Sequence, residues 1–264
     1  MGSYETIEVA TREGYLELIL NRPEVLNALD QQVAEELCDA LGWIREHDDV
    51  RAVLLRGEGR AFCSGGNLKD MERSLDGNPA EFFEAPLAKI HEAALLLAQL
   101  PRPVVGAIHG FAAGAGFNLA LCCDLLLCTP ETRFHQAFVR IGAVPDTGGT
   151  FFLPRRVGLG RALELFLLGE FVDAERALAI GIVNRVVRQD KLMLEARELT
   201  RSLAAGPTKA YSEIKKLVLG SATASLPEAL DAERQAQLRI ACSLDFEEGV
   251  RSFFEKRHPR YQGR

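Results

Sequence analysis

The sequence has no apolar run long enough to cross a membrane. Its first apolar run, Tyr15–Leu20, covers six residues, whereas a membrane-spanning helix needs about 20. The segment before this run also lacks the basic and then apolar layout of a secretory signal. These absences argue against a membrane protein, and we expect a cytoplasmic one.

Cysteine pairs at metal-binding or redox spacing are missing as well. The six cysteines include no CxxC pair, and no histidine stands at zinc-ligand spacing from them. Such patterns mark zinc sites and the disulfide frameworks of small secreted proteins. We therefore expect reduced thiols, buried as small apolar side chains, and no metal site.

The chain also lacks an excess of basic residues. It has 31 Lys and Arg against 37 Asp and Glu, which gives a net charge of −6. The field of such a surface repels phosphates, so general nucleic-acid and anionic-membrane binding are disfavoured. An anionic ligand would need locally placed donors. Hydrophobic residues at 47% are ordinary for a globular protein, and 264 residues allow one or two domains.

Strand and helix patterns alternate along the first two thirds of the chain, which predicts an α/β fold with parallel strand pairing. The apolar spacing after Asp30 is that of an amphipathic helix with Asp30 as its N-cap. The predicted strands are Glu5–Ala10, Tyr15–Leu20, Ala52–Arg56, Val104–Ile108 and Asp124–Cys128, the first two forming a half-buried hairpin. The predicted helices are Asp30–Arg45, Ala88–Leu100 and Phe117–Cys123.

Helical patterns dominate the last third of the chain. They cover Asp190–Leu203, Pro207–Leu219, Pro227–Ile240 and Phe246–Lys256, with one strand predicted at Ile182–Val187. Because Ala205-Gly206-Pro207 is a strong helix break, we predict a core domain over 1–204 and a helical region over 205–264.

Two glycine-rich loops, Gly59–Leu68 and Gly110–Asn118, each follow a predicted strand and precede a helix. Glycine permits backbone angles that aim an amide outward, and a helix N-terminus favours negative charge. Neither loop has the spacing of a dinucleotide or P-loop motif. One such loop alone would be explained equally well as a tight strand-to-helix turn.

Together with Asn21–Leu29 and Phe253–Arg257, these loops resemble the crotonase, or enoyl-CoA hydratase/isomerase, family over essentially the whole chain. The resemblance implies a ClpP-like spiral of ββα repeats with a helical C-terminal region that drives trimerisation, often as a dimer of trimers. It implies an acyl-CoA thioester as the substrate. Coenzyme A is then part of that substrate, and no separate cofactor is expected.

The resemblance also implies roles for individual residues. The amides of Gly66 and Ala115 would hold the thioester oxygen, because preorganised donors in a dry site stabilise an enolate more than the ground-state carbonyl. The implied substrate and coenzyme A contacts are Leu26, Ala28, Cys63 and Gly65, with Phe253 in the acyl pocket and Lys256 reaching phosphate from a neighbouring subunit.

Typical hydratases of the family use two glutamates, and this chain has neither. Asn118 and Phe138 stand at those positions, where we expect Asn118 to position substrate or water and Phe138 to line the pocket. Asp146 is the candidate base that is left. Its surroundings, Gly142–Thr150, are similar to the epoxide-isomerase and enoyl-CoA isomerase branch. One base can move a proton between two carbons without consuming water, so we expect an isomerase.

Several alternatives stay open. Asp146 could be a helix N-cap, in which case amide hydrogen bonds would lower its pKa. The chain could be a hydratase, an aryl-CoA hydrolase or dehalogenase, or a non-catalytic acyl-CoA binder. A nucleophilic triad is not expected, because His91, His109 and His135 have no Ser or Cys partner in a recognisable motif. The reaction products would distinguish these alternatives.

Overall fold

The computed structural model describes residues 2–264, which form nine strands and eleven α-helices. The α/β fold expected from the sequence is confirmed. The strands are β1 (Ile7–Arg12), β2 (Tyr15–Leu20), β3 (Ala52–Gly57), β4 (Val104–Ile108), β5 (Phe111–Ala113), β6 (Leu125–Cys128), β7 (Arg133–His135), β8 (Phe171–Asp173) and β9 (Arg185–Val186).

Up to β9 the helices lie between strands, singly or in pairs, and after β9 they follow one another. They are α1 (Gln31–Glu46), α2 (Leu68–Ser74), α3 (Pro79–Ala98), α4 (Gly114–Leu121), α5 (Gly149–Val157), α6 (Leu159–Leu168), α7 (Ala174–Ala179), α8 (Leu192–Ala204), α9 (Thr208–Ser221), α10 (Leu226–Ala241) and α11 (Leu244–Phe254). No helix among residues 2–264 is long and apolar enough to span a membrane.

Two sheets organise the fold. The larger has the order β1-β2-β3-β4-β6-β9, in which β1 and β2 are antiparallel and every later pair is parallel. The smaller has the order β5-β7-β8 and was not expected from the sequence. Because β3 and β4 are parallel neighbours, the loops that follow them leave the same edge of the sheet.

Helices cover both faces of the larger sheet. On β2, Leu16 and Leu18 pack in one core cluster with residues of α1 and α3, and Tyr15 packs in a second cluster with Leu192 and Ala196 of α8. All six β2 residues are therefore buried. The expected half-buried hairpin is wrong for β2, since a strand covered on both faces is buried throughout.

Several helix boundaries differ from the expectation. Asp30 does cap α1, accepting a hydrogen bond from the Val33 amide at 3.1 Å. However, α3 begins at Pro79 rather than Ala88, because Asn78 caps it there. Its first turns are largely exposed, so they carry little of the apolar spacing that predicts a helix. Helix α4 begins at Gly114 rather than Phe117, which places Ala115 in its first turn.

The C-terminal helices are joined to the sheet by polar contacts. The Lys215 ammonium of α9 lies 2.8 Å from Asp124, whose carboxylate also accepts from the Val104 amide. The Arg51 side chain donates to the Gly206 carbonyl and to the Thr208 hydroxyl. A domain boundary after residue 204 stays a prediction.

A buried carboxylate joins β2 to α8. The Glu17 side chain is 0% exposed and contacts Arg197 at 2.8 Å, Arg12 at 3.2 Å and Arg56 at 3.3 Å. Burial by itself would raise the pKa of Glu17, but the three guanidinium groups outweigh burial and lower it. The ionised form is therefore the one that stabilises the fold.

We expect Glu17→Gln to lower the free energy of unfolding at pH 7 by about 2 kcal/mol, since hydrogen bonds to charged groups are lost. A lowered pKa adds stability above the unfolded-state value of about 4.3, and this stability is lost as the pH falls through the folded-state value. The difference from wild type should thus shrink below about pH 4. Urea unfolding at fixed protein concentration measures it, with exposed Glu8→Gln as the control. A difference that does not change with pH would contradict this account.

Candidate functional site

The two glycine-rich loops lie side by side. The Cys63 amide donates to the Phe111 carbonyl at 3.1 Å, and the Ala113 amide donates to the Cys63 carbonyl at 3.0 Å. Gly65 has a φ of +95°, and a Cβ there would lie 2.7 Å from the Ala113 carbonyl oxygen and 3.5 Å from the Ala115 nitrogen. Only glycine fits this close approach.

Both loops present backbone amides without a partner. Within residues 2–264, the N–H groups of Gly66 and Ala115 donate to no acceptor. Ala115 lies in the first turn of α4, where N–H groups have no partner within the helix and the helix dipole favours negative charge. The pair therefore forms a candidate site for an oxygen that gains negative charge.

The expected coenzyme A contacts form two neighbouring segments. The Ser64 amide donates to the Leu26 carbonyl at 3.0 Å, and the Leu29 amide donates to the Gly65 carbonyl at 2.7 Å. Leu26, Ala28, Cys63 and Gly65 are thus brought together, although their contact with coenzyme A stays a prediction. Burial raises the pKa of Cys63 to about 12, so its thiol is not a nucleophile at neutral pH.

Sequence reasoning missed the residue that holds these segments together. Asn27 is buried, and its side-chain amide donates to the carbonyls of Glu58 and Ala61 at 2.9 Å each and of Phe62 at 3.1 Å. Its φ of 55° lies in the left-handed region, which asparagine tolerates better than most residues. An asparagine in a short loop between two apolar residues was the available signal.

Asp146 lies on the wall of a cavity of about 900 Å³ that is bounded by α3, the segment leading into α5, and α9. His91 of α3 lines the same cavity. The two free amides are not part of this wall. Ala115 is linked to Asp146 through α4, whose Asn118 side chain donates to the Asp146 carbonyl.

The alternative that Asp146 caps a helix is wrong. Helix α5 begins at Gly149 with Gly148 as its N-cap, and no side chain among the described residues caps it. The Asp146 carboxylate instead accepts from the Thr147 hydroxyl at 2.8 Å. Burial raises the pKa of Asp146, opposed by the Thr147 hydrogen bond and the field of His91. The expected lowering by cap amides is therefore also wrong.

Asn118 is fully buried on α4. Its side-chain N–H donates to the Asp146 carbonyl oxygen at 2.9 Å, and its side-chain oxygen accepts from Gln136 at 2.8 Å. A contact with substrate stays a prediction for Asn118, because the contacts in the structure lead to Asp146. Sequence reasoning missed Gln136, for which no local pattern gave a signal.

The remaining expected contacts divide into two groups. Phe138 is 9% exposed, and its ring lies 3.7 Å from a Cβ built at Gly114, so it packs beside the second loop. Phe253 is 77% exposed on α11 and lines a separate cavity of about 480 Å³. Lys256 is also exposed, just beyond α11. Roles for Phe253 and Lys256 stay predictions.

Comparisons with known proteins agree on one family. A model of the enoyl-CoA hydratase/isomerase family matches residues 10–264. The chain is 38% identical to 1,2-epoxyphenylacetyl-CoA isomerase of Escherichia coli K12 over 96% of each chain. It is 37% identical to trans-2-decenoyl-[acyl-carrier-protein] isomerase of Streptococcus mutans over 95% of each. A crystal structure of an enoyl-CoA hydratase from Polaromonas sp. JS666 superposes with a TM-score of 0.93 at 31% identity, covering 97% of this chain and 99% of that one.

We expect Asp146→Asn to be more stable than wild type at pH 7. Because the pKa of Asp146 is raised in the folded state, ionisation destabilises the fold, and wild type loses stability as the pH rises through the folded-state value. The asparagine variant can keep the Thr147 hydrogen bond without the charge.

The gain should close as the pH falls below about 4, where the aspartate is protonated in both states. Differential scanning calorimetry across this range measures it. The matched control is Asp76→Asn, at an exposed aspartate. A variant that is less stable than wild type at pH 7 would show that the ionised Asp146 carboxylate stabilises the fold. That result would contradict the raised pKa of Asp146.

Proposed function

Because the chain belongs to the enoyl-CoA hydratase/isomerase family, we propose that it acts on acyl-CoA thioesters as an enoyl-CoA isomerase with Asp146 as its single base. The observation that carries the proposal is the placement of this carboxylate. Asp146 is joined to α4 through Asn118, one helical turn from the free amide of Ala115. The positions of the two hydratase glutamates hold Asn118 and Phe138 instead.

The reaction is a 1,3-proton shift. The thioester oxygen accepts hydrogen bonds from the amides of Gly66 and Ala115. Asp146 takes a proton from C2 of a 3-enoyl thioester, and the electrons of the broken C–H bond move onto the thioester oxygen as the dienolate forms. Asp146 then returns the proton to C4, and the double bond moves from C3–C4 to C2–C3. No water is consumed and no bond to the enzyme forms.

The environment of Asp146 suits a base for a weakly acidic carbon. A carboxylate with an ordinary pKa is a weak base, and burial raises the pKa of Asp146, which increases its affinity for a proton. The amides of Gly66 and Ala115 also lower the barrier to proton removal, because hydrogen bonds to the thioester oxygen strengthen as negative charge develops there. The relatives from E. coli and S. mutans are named isomerases, whereas a relative from Rhodobacter capsulatus is named a probable enoyl-CoA hydratase.

The proposal includes how the substrate is held. Coenzyme A would lie along Leu26, Ala28, Cys63 and Gly65, as part of the substrate and with no separate cofactor. We also propose a trimer or a dimer of trimers in the cytoplasm, in which a neighbouring subunit supplies Lys256. Large apolar side chains exposed on α9–α11, with Leu226 at 71% and Phe254 at 78%, support a subunit interface there.

One observation favours a second candidate function. His91 lines the same cavity as Asp146 and lowers the pKa of that carboxylate. A histidine beside a carboxylate could activate water in a hydrolase or dehalogenase acting on an aryl-CoA. That enzyme would release an acid or replace a ring substituent, and it would not move a double bond.

The test is Asp146→Asn assayed on a 3-enoyl-CoA. We expect kcat to fall by roughly 10²–10⁴-fold, as is typical for loss of a general base, with KM nearly unchanged because the amide donors remain. Chromatography of the products measures the migrated double bond, and Asp76→Asn is the control. Normal turnover in Asp146→Asn would contradict the proposal. Release of free acid or halide by wild type, abolished by His91→Gln, would favour the second candidate.

A further inference from the structure

The Asn118 side-chain amide is held at both ends. It is fully buried on α4, one turn after Ala115, and it joins Gln136 at 2.8 Å to the backbone carbonyl of Asp146 at 2.9 Å. The hydrogen bond from Gln136 engages the Asn118 oxygen, so the nitrogen is the end that faces Asp146. Gln136 thereby fixes which way round the Asn118 amide lies.

Gln136 makes this contact while its own side-chain oxygen has no hydrogen-bond partner among the described residues. Its side chain is buried. An unpaired buried acceptor destabilises a fold. The hydrogen bond to Asn118 is the only one that the Gln136 side chain makes among residues 2–264.

The segment that Asn118 holds is in a strained conformation. Thr147 has a φ of 50° and Gly148 a φ of 76°, and the left-handed region is rarely occupied by a β-branched residue such as threonine. The Asp146 carbonyl accepts from the Gly149 amide at 2.9 Å as well as from Asn118. A Cβ at Gly149 would lie 2.4 Å from the Asn118 nitrogen, so this turn packs directly on the Asn118 amide.

We propose that Asn118 and Gln136 form an amide relay that positions Asp146 relative to the amide donors of the site. Ala115 and Asn118 lie on one rigid helix, so α4 sets the separation between the donor and the base. Asn118 is then a positioning residue that does not act on the substrate itself. This inference rests on the proposed function of Asp146 as the base.

The relay also accounts for the absence of glutamate at position 118. A carboxylate there could not donate to the Asp146 carbonyl, and it would place a second negative charge beside the base. Position 118 can therefore hold either a second carboxylate or a side chain that fixes Asp146, but not both.

The experiment compares Asn118→Leu with wild type, in the Asp146 background and in the Asp146→Asn background. Leucine has a similar size and no donor, so kcat on a 3-enoyl-CoA should fall by about a hundredfold, the effect of a misplacement of about 1 Å. KM should stay nearly constant. A merely structural role would lower the melting temperature without this split between kcat and KM.

In the Asp146→Asn background, Asn118→Leu should cause no further loss, because the relay acts only through the carboxylate. An equal loss in both backgrounds, or no loss in either, would overturn the relay. The base assignment fails separately, if Asp146→Asn alone turns over normally. The two failures are thus distinguishable.

Two substitutions of Gln136 keep the proposal testable if Asn118→Leu does not fold. Gln136→Glu supplies an acceptor, which should turn the Asn118 amide so that its oxygen faces the Asp146 carbonyl, and kcat should fall as far as in Asn118→Leu. Gln136→Met has a similar size and neither donor nor acceptor, so its loss should be smaller. Equal activities of the two variants would overturn the relay.

Discussion

The site depends on the close approach of two backbone loops. Gly65 lies against the segment from Ala113 to Ala115 with no side chain between them, since a Cβ at Gly65 would meet the Ala113 carbonyl oxygen at 2.7 Å. This approach is possible because β3 and β4 are parallel neighbours, and the loops that follow them leave one edge of the sheet. Two free amides, on Gly66 and Ala115, then lie on neighbouring loops, and hydrogen bonds from such donors to a charged oxygen are strong where water is excluded.

Helix α4 connects the free amide of Ala115 to the backbone of Asp146. Its first turn carries the Ala115 amide, and its next turn carries Asn118, which holds the backbone of Asp146. In a family where two glutamates commonly divide acid and base work, we propose that one half-buried aspartate takes and returns the same proton. In the proposed reaction one group carries out both the acid and the base step, so the raised pKa of Asp146 would matter for both.

The sequence predicted the local elements better than their relations. Strands β2 and β4 and the Asp30 cap follow from apolar patterning and a capping residue, and the structure confirms them. The start of α3 at Pro79 was missed because exposed turns carry little apolar periodicity. The raised pKa of Asp146 could not be predicted from its neighbours in the sequence. The residues that line the cavity around it belong to α3 and α9, which are far away in the sequence. The hydrogen bond from Asn118 to the Asp146 carbonyl likewise joins residues that no short motif relates.

The central claim is that an enolate forms between two amides and one carboxylate, and that the proton returns without water taking part. Wild-type enzyme given a 3-enoyl-CoA in ¹⁸O-labelled water tests it most directly, with mass spectrometry of the acyl products. The account predicts a 2-enoyl-CoA as the main product, with no labelled oxygen in the acyl chain. A 3-hydroxyacyl-CoA carrying ¹⁸O at the β-carbon as the main product would contradict it.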